Sequence, residues 1–280
     1  MIDILMFHRV QPAEEIVRPS AYWDRGTLIT TEKLAGVLSG LREQGKHVVP
    51  LLELVQRTME GRPTRELVTL TFDDGYADNI EHAVPILREH GCVATFFPVL
   101  GPALSNDVLP LDKYYLLLDR MVMSSNARHE RLVGPSKEEF ITASRGRQYE
   151  LLDAMSVDPS SGLSVPPLYM SMGQLKALFA DGHDVGVHTR WHQLLPLMSE
   201  EEVRSELSFG LDILVTNFGN GPFPLAYPDG RSDARVRDIA RALGYACGLG
   251  VVPTNGITDL FDLPRHFVNM SWSLDRLAWA

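Results

Sequence analysis

Short apolar runs rich in β-branched and aromatic residues recur along the chain, separated by segments with helical apolar spacing. The runs at 4–7, 46–50, 67–72, 93–99, 184–188, 223–227, 246–251 and 265–269 read as strands. The helical segments carry start and stop signals. After Thr30 and Thr31, Leu34, Val37, Leu38 and Leu41 share one face and Gly45 ends the pattern. Asp78 with Glu81 forms a capping box for a helix that stops at Gly91. Ser171 with Gln174 starts another, which ends near Gly182. Ser199 with Glu202 opens a helix that buries Val203, Leu207, Leu211 and Leu214. Ser232 starts the last, with Val236, Ile239 and Leu243 before Gly244.

Strands alternating with helices imply an α/β chain with a parallel sheet, and seven or eight such units in 280 residues favour closure into a barrel. The stretch 101–169 breaks the rhythm. It is helical in pattern at 111–123 and 137–155, bounded by Pro- and Ser-rich segments, and reads as an insertion in a single barrel domain spanning 1–280. Insertions between barrel units commonly shape the substrate mouth.

Charge changes the picture next. Lys and Arg total 26 against 36 Asp and Glu, a net charge of −10, which argues against a nucleic-acid binder needing a basic face. Cys92 and Cys247 cannot form a disulfide scaffold or a four-cysteine metal site, and fit a reducing compartment. The start MIDILMFHRV lacks a basic segment followed by a long apolar run, and no run approaches the ~18 apolar residues of a membrane span. A cytoplasmic protein is therefore expected.

Two clusters carry chemistry. In LTFDDGYADN, Val68, Leu70 and Phe72 alternate, as in a half-buried strand, and Asp73 and Asp74 then meet Gly75. Neighbouring side chains on a strand diverge, so the pair points two ways unless the chain turns sharply, which Gly75 permits. Carboxylates sharing one site need a cation. In HTRWH, His188 and His192 are four residues apart and would share a face on a helical turn. Two histidines plus one carboxylate form a recurrent zinc-type site with an open position. Both clusters end strands, on the face where barrel enzymes keep their chemistry.

TFDDG followed by H-T-x-x-H resembles the polysaccharide deacetylase family, the NodB-homology carbohydrate esterases. FHRV near the N-terminus and AYPDG later resemble the bacterial branch that opens with Y-H-R-V and carries F-A-Y-P-x-G. The resemblance runs from about residue 4 to 268. It implies a distorted (β/α)7-type barrel and a divalent metal, Zn2+ first, with Co2+, Ni2+, Fe2+ or Mn2+ as substitutes. Asp74, His188 and His192 would hold the metal and Asp73 would be the general base. The resemblance points to the backbone N–H of Tyr227 for the oxyanion and to Arg265 as the residue that orients Asp73. The family's acid is a late histidine. Here His266 stands in that region, with His8 in FHRV as the competing candidate. Arg265 and His266 are neighbours on a strand, so at most one faces the site. Tyr76, Trp191 and Pro228 are candidates for the cleft wall, with Trp191 either stacking on a sugar or packing. Asp78 reads as a cap.

The implied activity is metal-dependent removal of an N-acyl group, acetyl first, from an amino sugar in a polysaccharide or glycan precursor. A deformylase or other C–N amidase, or a non-catalytic carbohydrate-binding barrel, are the alternatives.

Overall fold

The computed structural model describes residues 2–125, 134–155, 167–251 and 259–277. Ten strands lie among them: β1 (Asp3–Phe7), β2 (Arg9–Gln11), β3 (Leu28–Thr30), β4 (His47–Val48), β5 (Leu67–Asp74), β6 (Thr95–Pro98), β7 (Asp184–Val185), β8 (Leu225–Ala226), β9 (Gly248–Leu249) and β10 (His266–Phe267).

In the main sheet β1 lies between β10 and β5, and β6 and β7 follow, all parallel. A parallel bridge from Val187 to Leu225 carries the ring on to β8 and its partner β9. A second bridge, Leu249 to Leu263, leads back to the segment entering β10. Seven strands thus close a ring, a distorted (β/α)7-type α/β barrel. The stretch 46–50 supplies no eighth stave. Its two-residue strand β4 pairs with the start of β5, whose last four residues pair with β6.

Strand β5 is buried along its whole length, not half-buried. Val68, Leu70 and Phe72 pack outward with Leu34, Leu38, Leu87 and Leu178. Phe72 stacks between Phe7 and Phe96, with ring centroids 5.0 and 5.1 Å away. Truncating such a core aromatic costs about 3–5 kcal/mol. The alternate residues Thr69, Thr71 and Asp73 face the opposite way, where the Thr71 hydroxyl donates to the Leu5 carbonyl at 2.9 Å. Burial of polar groups is tolerated because each finds a partner.

Helix starts follow the sequence signals with two exceptions. Thr30 caps Thr31–Glu43, and full capping boxes form at Ser171 with Gln174 and at Ser199 with Glu202. The last helix is capped by Asp233, one residue after Ser232. Asp78 makes no cap: a π-helical turn, Asn79–Ala83, precedes Val84–Glu89. Its carboxylate instead pairs with Arg9 at 2.7 Å.

The described residues of the 101–169 stretch carry the helices Leu100–Ser105, Pro110–Ser125, Lys137–Thr142 and Arg145–Met155. Its apolar faces form a cluster containing Tyr114, Leu118, Phe140 and Leu152, shared with Tyr22 and Tyr76 from the barrel loops. Within it Asp112 is buried and accepts from Tyr22 Oη at 2.6 Å, Tyr76 Oη at 2.9 Å and, over a shorter contact, Tyr169 Oη.

Candidate metal and hydrolytic site

The C-terminal ends of β1, β5 and β10 and the loops beyond β7, β8 and β9 surround an open cleft of about 230 Å³. Its wall includes His8, Asp73, Asp74, Tyr76, His188 and His192.

The divergence of the two aspartates is built into the backbone. Asp74 has φ 69° and Gly75 φ 76°, so the chain turns left-handed as it leaves β5. A Cβ on Gly75 would sit 2.8 Å from Pro98 Cα, so the turn also needs the absent side chain. Asp73 consequently faces the Arg265 guanidinium, with Nη1 on Oδ1 at 2.7 Å and Nη2 on Oδ2 at 2.8 Å. Burial alone would raise the Asp73 pKa, but Arg265 and His188 outweigh it and hold the carboxyl at about 2.

Asp74 turns to the histidines. Its Oδ1 lies 3.5 Å from His188 Nε2 and 3.4 Å from His192 Nε2. The pair does not ride a helical turn, as the i, i+4 spacing suggested. It sits in a loop where Thr189 (φ 63°) and His192 (φ 57°) are left-handed. Several bonds fix that loop. The Thr189 hydroxyl accepts from His192 N at 3.0 Å, and Glu206 Oε1 accepts from Arg190 N at 2.6 Å and Trp191 N at 3.3 Å. Gly101 N donates to Arg190 O at 2.8 Å.

This donor set fits a divalent cation. His188 Nδ1 lies 2.8 Å from the Ala226 carbonyl, so Nδ1 carries the hydrogen and Nε2 keeps its lone pair for a ligand. Burial pushes the His188 pKa down to about 3, which holds the ring neutral, as ligation requires. Asp74 Oδ1 is buried with no hydrogen-bond partner. Burial, then Asp112 and Asp73, drive the Asp74 carboxyl well above the usual range. Among the described residues no Lys or Arg lies within ion-pair distance of this orphaned carboxylate oxygen, which sits between two imidazoles, and the three ligand atoms lie within 4.8 Å of one another.

A scan against family models matches polysaccharide deacetylase over residues 60–248. The chain belongs to the polysaccharide deacetylase family. The relative YxkH of Bacillus subtilis (strain 168) is 24% identical over 200 residues, covering 67% of this chain and 64% of that protein. The alignment thus spans less than two thirds of that relative's length. In fold the chain is similar to the Streptococcus pyogenes deacetylase PplD, solved in complex with acetate (TM-score 0.65, 19% identity, 99% of this chain and 96% of that one). It is also similar to a de-N-acetylase from Aggregatibacter actinomycetemcomitans (TM-score 0.63, 17% identity, 98% and 97%).

Within this deacetylase-family barrel, other expected residues lie elsewhere than the sequence suggested. The Tyr227 N–H donates to Leu249 O at 3.0 Å and is spent in the sheet, while its hydroxyl donates to Phe261 O. Pro228 is buried at the start of the following turn and has no N–H. In that turn Gly230 N bonds Tyr227 O and Arg231 N bonds Pro228 O. Asp229 N is left without an acceptor among the described residues, at a left-handed residue (φ 53°) on the cleft wall. His266 points away from the site, its Nε2 3.5 Å from Asp3 Oδ1, because strand alternation sends Arg265 inward. His8 does line the cleft, with Nδ1 buried and unpartnered. Trp191 is outside it, packed under the Arg145 guanidinium at 3.7 Å. Tyr76 forms part of the wall.

Sequence reasoning missed Lys137, Arg25 and Tyr115, which also line the cleft. Lys137 and Tyr115 come from the 101–169 stretch, whose position against the barrel no local pattern encodes. No helix among the described residues is long and apolar enough to cross a membrane.

Proposed function

We propose that the chain is a metal-dependent hydrolase that removes an N-acyl group, acetyl in the first instance, from an amino sugar of a polysaccharide or glycan precursor. The observation that carries this is the convergence of Asp74, His188 and His192 beside an Asp73 locked by Arg265. Asp74, His188 and His192 would hold the ion, zinc first. A bound divalent ion supplies Lewis acidity toward the amide carbonyl and lowers the pKa of water to ~7.

The chain's own residues do the rest. Asp73, ionised and fixed by Arg265, accepts the proton of the attacking water. The Asp229 N–H, the unspent donor of its turn, hydrogen-bonds the developing oxyanion. Removing one such donor typically costs 10²–10³ in rate, roughly 3–4 kcal/mol. His8 lines the cleft, and burial, which lowers its pKa to about 4, holds the ring neutral; it relays the proton that Asp73 takes from the water to the leaving amine as the C–N bond breaks. We read 101–169 as an insertion in this one barrel domain, forming one wall of its cleft.

The test is amine release from N-acetylated chitooligosaccharides with and without a chelator, together with Asp73→Asn. Metal-dependent release that Asp73→Asn abolishes without loss of bound metal supports the reading. Release indifferent to thorough metal removal overturns it.

A further inference from the structure

The insertion meets the barrel at the turn that follows β8. Asp229 Oδ1 accepts from Lys137 Nζ at 2.8 Å, and Asp229 Oδ2 lies 3.0 Å from Arg231 Nε. The two Nη atoms of Arg231 then take both oxygens of Glu138, at 2.8 and 2.6 Å. Lys137 and Glu138 are consecutive residues at the start of Lys137–Thr142. Four charges therefore form three ion pairs, Lys137–Asp229–Arg231–Glu138, closed into a ring by the Lys137–Glu138 backbone and joining that helix to the 228–231 turn across more than ninety residues.

The turn has reason to need a grip. Asp229 adopts φ 53°, ψ 20°. That left-handed conformation costs a non-glycine residue about 1 kcal/mol or more. A carboxylate held from both sides offsets that cost and fixes the rotation of the adjoining peptide planes. One of those planes carries the Asp229 N–H. Lys137, like Asp229, also lines the cleft wall. Each pair is part-exposed, and such pairs taken singly contribute only about 0.2–1 kcal/mol. The ring's effect is therefore on orientation more than on global stability.

We propose that Lys137 is a positioning residue: through Asp229 it aims the backbone N–H that meets the oxyanion, so that the insertion completes the site. This rests on the hydrolase reading above. A misplacement of catalytic groups by about 1 Å can slow turnover by roughly 100-fold.

The experiment compares Lys137→Met and Lys137→Arg with the wild-type chain, on N-acetylated chitooligosaccharides and by the amide signal of Asp229 in a 1H–15N correlation spectrum. The expected result is a fall in kcat of about 10-fold or more for Lys137→Met, with KM within about two-fold and bound metal unchanged. Lys137→Arg should restore most of kcat, and the Asp229 amide signal should move in Lys137→Met alone. An unmoved amide signal overturns the inference, as does unchanged kcat. A rise in KM at constant kcat also overturns it, since it marks Lys137 as a substrate contact. Absence of turnover in the wild type, with the amide shift still present, would instead remove the hydrolase reading and leave the positioning intact.

Discussion

Arg265 and Asp73 face each other across the inside of the barrel through two parallel hydrogen bonds, 2.7 and 2.8 Å long. A third bond, from Arg265 Nε to the Gly250 carbonyl at 3.0 Å, fixes the guanidinium plane. Arg265→Ala should leave a buried carboxylate without its partner and cost about 3–5 kcal/mol of stability. Urea denaturation measures this, and an unchanged midpoint would contradict it. The sign on the pH axis also follows. The folded-state Asp73 pKa of about 2 lies below its unfolded value of ~3.9. Its contribution is full at neutral pH and is lost as pH falls through the unfolded value toward 2.

The two candidate acids separate cleanly. His8→Ala should lower kcat by roughly 10²–10⁴, because the leaving amine then lacks a donor in the cleft. His266→Ala should keep kcat within about two-fold, because that ring meets Asp3 instead of the site. Steady-state kinetics on one N-acetylated chitooligosaccharide suffices. Equal losses in the two variants would sink the assignment.

Glu206 holds the histidine loop by two backbone N–H groups. Glu206→Ala should weaken metal affinity by about 10- to 100-fold, while Glu206→Gln, which keeps an acceptor oxygen, should recover most of it. Competition against a chromophoric chelator reads this directly. Affinity equal to wild type in Glu206→Ala would show that the loop holds itself.

Metal removal should do more than stop turnover. Without a cation, Asp74 Oδ1 is a buried acceptor with nothing to accept. The melting temperature should therefore rise on adding zinc to chelator-treated protein, in proportion to the logarithm of free ion over its Kd. Asp74→Asn should blunt that rise.

Much of this was legible in the residues. TFDDG and HTRWH located the convergence, and Ser171 with Gln174 and Ser199 with Glu202 marked two helices correctly because capping is a local bond. Errors fell where long-range contacts decide. Asp78 looks like a cap until Arg9 takes its carboxylate from 69 residues away. The histidine spacing looked helical, yet Glu206 and Gly101 hold a left-handed loop. Tyr227 looked like the oxyanion donor because the pairing of its N–H with Leu249 is a fact of the closed sheet.

The carboxylate of Asp112 gathers hydroxyls from Tyr22, Tyr76 and Tyr169, two of which belong to loops of the barrel proper. Anyone engineering a wider mouth by pruning the helices between β6 and β7 would thus delete the acceptor on which Tyr22 and Tyr76 depend. The shortened chain would leave both phenols without that acceptor, Tyr76 beside Asp74, and a redesign would have to replace Tyr76 with phenylalanine at the same time.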